Sequence, residues 1–336
     1  MKFKRIIYGI CKVLSAGLVA GIILTAFCFL YYNVPVHVKC EDKTTDYVWE
    51  KNKFYSRGTE GFAMGKTNNE GYMNRYDYNK SNNIEVLIIG SSHMEAYQVA
   101  KNESTASRLD DMLGGKKVYN IGTSAHDMMV CITNYNDALK KYKPSKYVVI
   151  ETDSIRFNKT RIKNIIDGNY KELESYNGGI VGLLQRNPYL RLLYKQLKGT
   201  NNEGEDVVNN TPSEMDMIGM TEEEKVLWDK IIERISKESN KYGVKTIIMY
   251  HPTIQLKEDG SLLVNKDYSY TESYNDICKK YGIELLDMTN RFIVEYDNNK
   301  VLPYGFINSS VGVGHLNKYG HAMVAEELYD LISKEK

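Results

Sequence analysis

The chain has 336 residues, enough for one sizeable α/β domain with accessory segments but not for two large independent domains. Its 44 Lys and Arg residues almost balance 43 Asp and Glu residues, and the formal charge of +1 argues against a nucleic-acid partner. The five cysteines have scattered spacings that form neither a disulfide framework nor a metal-binding motif, so the folded part must depend on its hydrophobic core.

The first 35 residues differ in composition from the rest of the chain. Residues 1–12 carry four Lys or Arg residues, and the next 20 residues, 13–32, contain no charge. A run of about 20 apolar residues can cross a bilayer as a helix. The basic flank favours a cytoplasmic tail at 1–12, a single-pass anchor at 13–32 and an extracytoplasmic remainder. A cleaved signal peptide is the competing interpretation, although no small-x-small cleavage site follows the apolar run.

Residues 36–80 are polar, rich in Tyr and Gly, and contain turn signals such as Asn-Asn-Glu-Gly at 68–71. This pattern predicts an extracytoplasmic lead-in with a hairpin rather than a separate domain.

From residue 81 onwards, short apolar runs alternate with helical patterns. The runs at residues 84–89, 118–121, 147–150, 244–250 and 283–286 are typical of buried parallel strands. Between and after them, a Thr-x-x-Glu capping box begins at Thr221, and residues 317–336 carry a helical apolar stripe. We therefore expect one domain over 81–336, a three-layer α/β sandwich with a five-stranded parallel sheet, whose ligands bind at the carboxyl ends of the strands. Residues at about 155–220 fit the alternation poorly and are interpreted as an insertion that either shapes substrate access or is a passive surface excursion.

Two segments carry the residues that could do chemistry. The first strand runs into Gly90-Ser91-Ser92, and a serine at a sharp strand-to-helix turn lies beside backbone N–H groups that can stabilise an oxyanion. The same serines could simply cap a helix. His315 lies in a glycine-rich loop before the last helix, where an imidazole could face a partner or only pack.

Taken together, a strand-terminal Gly-x-Ser and a His-x-Asn segment before the last helix resemble the SGNH/GDSL hydrolase family over residues 84–335. The resemblance implies a flavodoxin-like fold, Ser92 as nucleophile, His315 as base, and no metal or other cofactor. The Gly-Ser-Ser form resembles the membrane-anchored branch of the family that acts in cell-envelope acyl transfer. In the segment similar to the second block of the family, Ala125 occupies the position of a glycine whose N–H helps to form the oxyanion hole, and Gly122 lines the site.

Two positions depart from the family pattern. Asp153 stands where the family has an asparagine, and an ionised carboxylate there would repel an oxyanion. Gly312 stands where the family has the aspartate that orients the histidine. We consider three hypotheses for His315: a backbone carbonyl near Gly312 holds the ring, an acid from elsewhere does so with Asp153 as the named candidate, or catalysis has been lost.

The other histidines give weaker signals. His93 and His126 fall beside the expected site, where they could contact substrate, tune Ser92 or be ordinary neighbours, and His251 follows the fourth strand at the same edge of the sheet. His37 and His321 have no assigned role. No recognisable metal-ligand spacing joins them.

The expected activity is a two-step acyl transfer in which water completes an esterase and a sugar hydroxyl completes an O-acyltransferase. Because the domain is expected to be extracytoplasmic, the expected substrate is an O-acyl group of a cell-surface polysaccharide or wall polymer, with O-acetyl as the expected group. The family resemblance implies an integral-membrane acyl donor as a partner. The alternative is a protein without catalytic activity that keeps the SGNH scaffold as a glycan-binding or accessory component of an envelope polysaccharide system.

Overall fold

The computed structural model describes residues 2–171, 186–198 and 219–334. It begins with the helix α1 (Lys2–Tyr31). The part from Phe3 to Tyr31 reaches a mean hydropathy of 2.4, is almost wholly exposed, and is the one helix in the described ranges that is long and apolar enough to cross a membrane. A membrane span and a signal sequence share these properties.

Two small antiparallel units follow α1 directly. The strands β1 (Tyr32–Asn33), β4 (Phe54–Arg57) and β5 (Ala63–Lys66) form one sheet, in the order β1-β4-β5. The strands β2 (His37–Lys39) and β3 (Tyr47–Trp49) form a separate hairpin. Trp49 and Tyr55 from these units share a buried cluster with Tyr97 of the following domain, so the lead-in packs directly against that domain.

The central sheet has five parallel strands, and each coincides with a predicted apolar run. They are β6 (Val86–Ile89), β7 (Val118–Asn120), β8 (Tyr147–Thr152), β9 (Lys245–Tyr250) and, after a small hairpin of β10 (Ile254–Leu256) and β11 (Leu262–Val264), β12 (Glu284–Asp287). The order across the sheet is β7-β6-β8-β9-β12. Counted along the chain this is the 2-1-3-4-5 order of flavodoxin-like sheets, in which the connections change direction between the first and third strands.

Helices cover both faces of the sheet, which confirms the predicted three-layer α/β sandwich. One apolar layer lies under α4 (Met128–Tyr142), α7 (Glu222–Tyr242) and α8 (Tyr268–Lys280). The other lies under α3 (Thr105–Met112), α9 (Thr289–Asn299) and α10 (Lys318–Ser333). The remaining described helices are α2 (Ser92–Glu95), α5 (Lys159–Ile166) and α6 (Pro188–Lys198).

The capping box predicted at Thr221 is confirmed. The Thr221 Oγ1 accepts a hydrogen bond from the N–H of Glu224 at 3.3 Å, and a Glu224 carboxylate oxygen accepts one from the N–H of Thr221 at 2.9 Å. These bonds satisfy two N–H groups that every helix start leaves unpaired, which explains why α7 begins at this point. Within the predicted insertion at about 155–220, α5 and α6 are helical, whereas residues 172–185 and 199–218 lie outside the described residues.

The glycine-rich loop expected around His315 is instead a strand. β14 (Val311–Leu316) pairs antiparallel with the short β13 (Tyr304–Gly305), with a register shift between Tyr304 and Gly305. Gly312 and Gly314 have φ angles of 80° and 97°, in the region that glycine adopts at little cost. These glycines allow a bulged strand where their composition alone predicted an irregular loop.

Candidate active site

The two serines after β6 have different roles in the structure. Ser91 is the N-cap of α2, and its Oγ accepts a hydrogen bond from the N–H of His93 at 3.2 Å. Ser92 is the first residue of the helix, and its Oγ faces His315. Ser91 therefore caps the helix, and Ser92 is the serine whose hydroxyl faces His315.

A continuous chain of hydrogen bonds joins three side chains at the carboxyl edge of the sheet. The His315 Nε2 lies 2.9 Å from the Oγ of Ser92, and its Nδ1 lies 2.8 Å from Oε2 of Glu60. The Glu60 Oε1 also accepts the backbone N–H of His315 at 3.0 Å. Because an ionised carboxylate only accepts, the Nδ1 of His315 carries a proton and its Nε2 can accept the hydroxyl proton of Ser92. This is the arrangement of a serine-histidine-acid triad.

Glu60 is kept ionised by its surroundings. Partial burial raises the pKa of its carboxyl, but the hydrogen bonds from His315, the charge that His315 carries when it is protonated, and Arg57 at 3.6 Å outweigh that effect. The pKa of Glu60 is therefore below its ordinary value. Glu60 lies in the turn between β4 and β5, in the lead-in and outside the α/β sandwich.

The acid that orients His315 is thus Glu60, and the hypothesis that Asp153 does so is wrong. The alternative of a backbone carbonyl near Gly312 is also wrong, because the Glu60 carboxylate occupies the position beside Nδ1. Gly314 makes room for this contact, since a Cβ there would lie 2.5 Å from the Glu60 Oε1.

Two backbone N–H groups could hold an oxyanion. Ala125 has a φ of 60°, in the left-handed region that favours glycine, and it is exposed. Within the described ranges neither its N–H nor that of Ser92 takes part in a hydrogen bond. Ala125 follows β7, the strand that pairs with β6, so it lies at the same edge of the sheet as Ser92. Backbone donors without a partner are what a developing oxyanion requires.

Gly122 is not such a donor. Its N–H is buried and donates to the Oδ1 of Asn120 at 2.9 Å. A Cβ on Gly122 would lie 2.6 Å from the backbone nitrogen of Glu95, so the glycine allows this loop to pack closely under α2. Gly122 supports the site from below instead of lining it.

Asp153 follows β8 directly and is exposed at the same edge of the sheet as Ser92. The surrounding protein atoms and the charge of Glu151 raise the pKa of its carboxyl, against an opposite effect of His251.

A buried polar network lies behind the nucleophile turn. The Glu151 Oε2 accepts the N–H of Ser91 at 2.6 Å, and its Oε1 lies 2.6 Å from the Nε2 of His251. The Nδ1 of His251 lies 2.8 Å from the hydroxyl of Tyr304. Glu151 and His251 are 0 % exposed, so this pair is wholly removed from water. The carboxylate fixes Ser91 and, through it, the position of Ser92.

The sequence identified neither Glu151 nor its partnership with His251. A usable signal was Gly90, because a Cβ there would lie 2.4 Å from the Glu151 Oε2. The glycine before the nucleophile therefore makes room for a carboxylate from the neighbouring strand β8.

His93 lies beside the base, whereas His126 does not line the site. The Nδ1 of His93 accepts the N–H of Leu316 at 3.2 Å, and its ring centroid lies 5.2 Å from that of His315. Burial and the neighbouring histidines lower the pKa of His93 well below its ordinary value, so its ring is neutral. His126 is buried, accepts the N–H of Asp46 at 3.0 Å, and joins the lead-in to the domain.

In the described part of the chain, no group of three His, Cys, Asp or Glu side chains is placed to hold a metal ion. His321 is buried against Thr105, whose N–H donates to the Nδ1 of His321 at 3.2 Å.

No protein-family model and no curated protein matches the sequence. Among solved structures, the chain is similar to the esterase EstA from Pseudoalteromonas sp., with 16 % identity over 74 % of this chain and 96 % of that one and a TM-score of 0.39. It is also similar to the acetyl xylan esterase AlAXEase, with 14 % identity over 74 % of this chain and 100 % of that one and a TM-score of 0.43. A third similar structure is the salicylyl-acyltransferase SsfX3 from a tetracycline biosynthetic pathway, with 9 % identity over 77 % of this chain and 57 % of that one and a TM-score of 0.38. Identities this low describe a likeness of fold alone.

Proposed function

We propose that this chain is a membrane-anchored extracytoplasmic serine esterase or O-acyltransferase of the SGNH type. The observation that supports this proposal is the hydrogen-bonded chain from Ser92 through His315 to Glu60. The N–H groups of Ser92 and Ala125, which make no hydrogen bond within the described ranges, are the proposed oxyanion donors. The 2-1-3-4-5 sheet with the serine after its first strand supports the family assignment.

In the first half-reaction, the Ser92 Oγ attacks the carbonyl carbon of an ester while the His315 Nε2 takes the hydroxyl proton. The electron pair of the C=O π bond moves to the carbonyl oxygen, and the two N–H groups stabilise the resulting oxyanion by hydrogen bonds. When the intermediate collapses, the ester C–O bond breaks, and His315 gives its proton to the departing alcohol. Glu60 stays ionised throughout and stabilises the imidazolium that forms in between. The acyl group is then bound to Ser92.

In the second half-reaction, an acceptor hydroxyl gives its proton to His315 and attacks the acyl-enzyme, and His315 returns a proton to Ser92. Water as acceptor gives an esterase, and a sugar hydroxyl gives an O-acyltransferase. The proposed substrate is an O-acyl group, most simply O-acetyl, on a cell-surface polysaccharide or wall polymer. The apolar N-terminal helix supports an extracytoplasmic setting beside the membrane, where an integral-membrane acyl donor is the proposed partner.

A glycan-binding or accessory protein without catalytic activity is the second candidate. It was suggested by the missing family aspartate and asparagine. Glu60 occupies the place of the missing acid at His315, which removes the first reason. Asp153 at the asparagine position is the observation that still favours it.

The enzymatic proposal is tested with the full chain in lipid nanodiscs and a small water-soluble acetyl ester. We expect turnover to fall by about a thousandfold or more in Ser92→Ala. The matched control is Ser91→Ala, which removes the neighbouring hydroxyl and keeps the nucleophile. Wild-type turnover no higher than that of Ser92→Ala would contradict the enzymatic proposal and favour the second candidate.

The acceptor is identified in a separate experiment that supplies an activated acetyl ester and an oligosaccharide together. Acetylated oligosaccharide is the product expected of a transferase. If all of the acetyl group appears as free acetate, the transferase part of the proposal fails and the esterase part stands.

A further inference from the structure

The N-terminal helix is joined rigidly to the small sheet that follows it. The Ser56 Oγ on β4 donates a hydrogen bond to the backbone oxygen of Phe29 at 2.8 Å and accepts one from the N–H of Asn33 at 2.9 Å. The ring of Phe29 stacks on that of Phe54, with ring centroids 5.1 Å apart. The last turn of α1 and the strand β4 therefore form one packed unit.

The same hairpin carries the acid of the triad. A Cβ on Gly58 would lie 2.7 Å from the ring of Tyr31, so the chain touches the end of α1 immediately after β4. Glu60 follows two residues later, and two residues span at most about 7 Å. The carboxylate that holds His315 is therefore close to the point where the apolar helix ends.

Large apolar side chains are exposed around this point. Met64 pairs with Ser56 across β4 and β5, so it shares the face of the sheet that receives α1, and it is 41 % exposed. Phe62, which precedes β5, is 62 % exposed. Ile307 is 98 % exposed at the turn between β13 and β14.

The turn that carries Ile307 is bound to the hairpin that carries Glu60. The side chain of Asn308 donates to the backbone oxygens of Gly58 and Gly61 at 2.9 and 2.7 Å, and it accepts the N–H of Gly61 at 2.9 Å. Ile307 is therefore held next to the segment that touches the end of α1. Phe62, Met64 and Ile307, which we term the apolar rim, thus lie on the two hairpins that supply Glu60 and His315.

We propose that the apolar rim contacts the lipid surface beside the anchor, so that the active site acts on substrates presented at the membrane surface. Exposed clusters of large apolar side chains mark surfaces that meet a membrane or another protein. Lipid is the occupant here because the rim lies on hairpins that are joined to the end of an apolar helix. Phe54 of β4 stacks on Phe29 of that helix, and the apolar side chains of the helix need a bilayer. The inference rests on the membrane anchor and the serine enzyme of the proposed function.

The contact is tested in the full chain carrying Cys11→Ser, since the other four cysteines are buried. An environment-sensitive fluorophore is attached at Ile307→Cys in nanodiscs of phosphatidylcholine and phosphatidylglycerol. The matched control is Val226→Cys, at an exposed apolar position of α7. We expect spin-labelled lipid to quench the fluorophore at 307 several-fold more strongly than at 226, because quenching requires contact with lipid. Equal quenching at the two positions would overturn the inference.

A second variant separates the inference from the proposed function. In Ile307→Asn/Met64→Asn, turnover of a water-soluble acetyl ester should be unchanged, whereas turnover of an acyl ester attached to a lipid in the nanodisc should fall by about tenfold. An equal effect on both substrates would overturn the inference. If the soluble ester is turned over but the fluorophore at 307 is not quenched by lipid, the membrane contact is contradicted and the enzymatic function stands. If lipid quenches the fluorophore at 307 but no ester is turned over, the membrane contact is supported and the enzymatic function is contradicted.

Discussion

A carboxylate from outside the central sheet determines which ring nitrogen of His315 carries the proton. Glu60 accepts both the ring Nδ1–H and the backbone N–H of His315. Two acceptors in one side chain fix the ring orientation and the tautomer together, because the backbone bond prevents the carboxylate from rotating away. A carboxylate is therefore needed at position 60, although nothing in the sequence around Glu60 marks it as part of the site.

Replacing this carboxylate with an amide should remove most of the activity. In Glu60→Gln one acceptor oxygen becomes an NH₂ donor, so either the ring or the backbone N–H of His315 loses its partner. We expect kcat for a soluble acetyl ester to fall by about 10²- to 10⁴-fold, as the equivalent Asp-to-Asn change does in serine proteases. Asp153→Asn is the control and should not lower kcat, because it removes a carboxylate that would repel an oxyanion when ionised. The reverse order of effects would return Asp153 to the role that we assign to Glu60.

The same residue makes stability depend on pH. The pKa of Glu60 is lowered on folding, because the bonds and charge of His315 and Arg57 outweigh the effect of burial. A carboxyl of this kind stabilises the fold above its unfolded pKa of about 4.3, and the contribution is lost as pH falls through the lower folded value. Wild type should therefore have a higher free energy of unfolding than Glu60→Gln at pH 7. In denaturant titrations that difference should shrink below about pH 4, and a difference that grows on acidification would contradict the assignment.

At the scale of elements, the nucleophile turn is supported by the neighbouring strand. Glu151 at the end of β8 binds Ser91 and His251 in a site closed to water. A buried pair of this kind adds little net stability, but removing one partner leaves the other without compensation. The pair therefore acts mainly to hold the turn between β6 and α2 in place.

Breaking this pair should weaken both the fold and the site. We expect His251→Ala to lower the free energy of unfolding by about 3 kcal/mol or more, because it strands the Glu151 carboxyl in the interior. His321→Ala is the matched control, another buried histidine, whose Nδ1 is hydrogen-bonded to Thr105 and not to the Glu151 network. At a temperature where both variants are folded, turnover of the soluble ester should fall only in His251→Ala. Equal turnover in the two variants would mean that the network is structural alone.

Features that depend on residues close together in the sequence were predictable, and those that depend on distant residues were not. The five strands were predictable because continuous apolar runs report burial on both faces of a parallel sheet. Ser92 and His315 were predictable because each lies in a short motif at the edge of an element. Glu60 was not, because its bond to His315 joins residues 255 positions apart and leaves no local pattern. The strand β14 was missed because its glycines, which permit a bulge, also resemble a loop.

For the whole molecule, the lead-in completes the domain. The Trp49 Nε1 donates to the Oε1 of Glu95 at 2.5 Å, and the N–H of Asp46 donates to His126 at 3.0 Å. The sequence interpretation of residues 36–80 as a lead-in with a hairpin predicted neither these links nor the position of Glu60 beside His315. Since β1 pairs with β4, even the two residues after α1 help to place that carboxylate.

Truncation tests whether the first strands of the lead-in are needed to hold Glu60 at the site. A chain that begins at residue 29 keeps β1, β2 and the Phe29 carbonyl that binds Ser56, whereas a chain that begins at residue 40 loses all three. We expect the shorter chain to lose at least about tenfold in turnover of a soluble ester relative to the longer one, because the hairpin that holds Glu60 loses its support. Circular dichroism would show whether the central sheet survives in both. Equal turnover would show that β1 and β2 are dispensable for the site.

The central claim is that Ser92 is activated by His315 under the control of Glu60. It is tested most directly by treating the full chain with a serine-reactive fluorophosphonate and locating the adduct by peptide mass spectrometry. A single adduct on Ser92 is predicted, with a labelling rate that falls by about a hundredfold in Glu60→Gln and is unchanged in Asp153→Asn. An adduct elsewhere, no adduct, or the same labelling rate in Glu60→Gln as in wild type would contradict the claim.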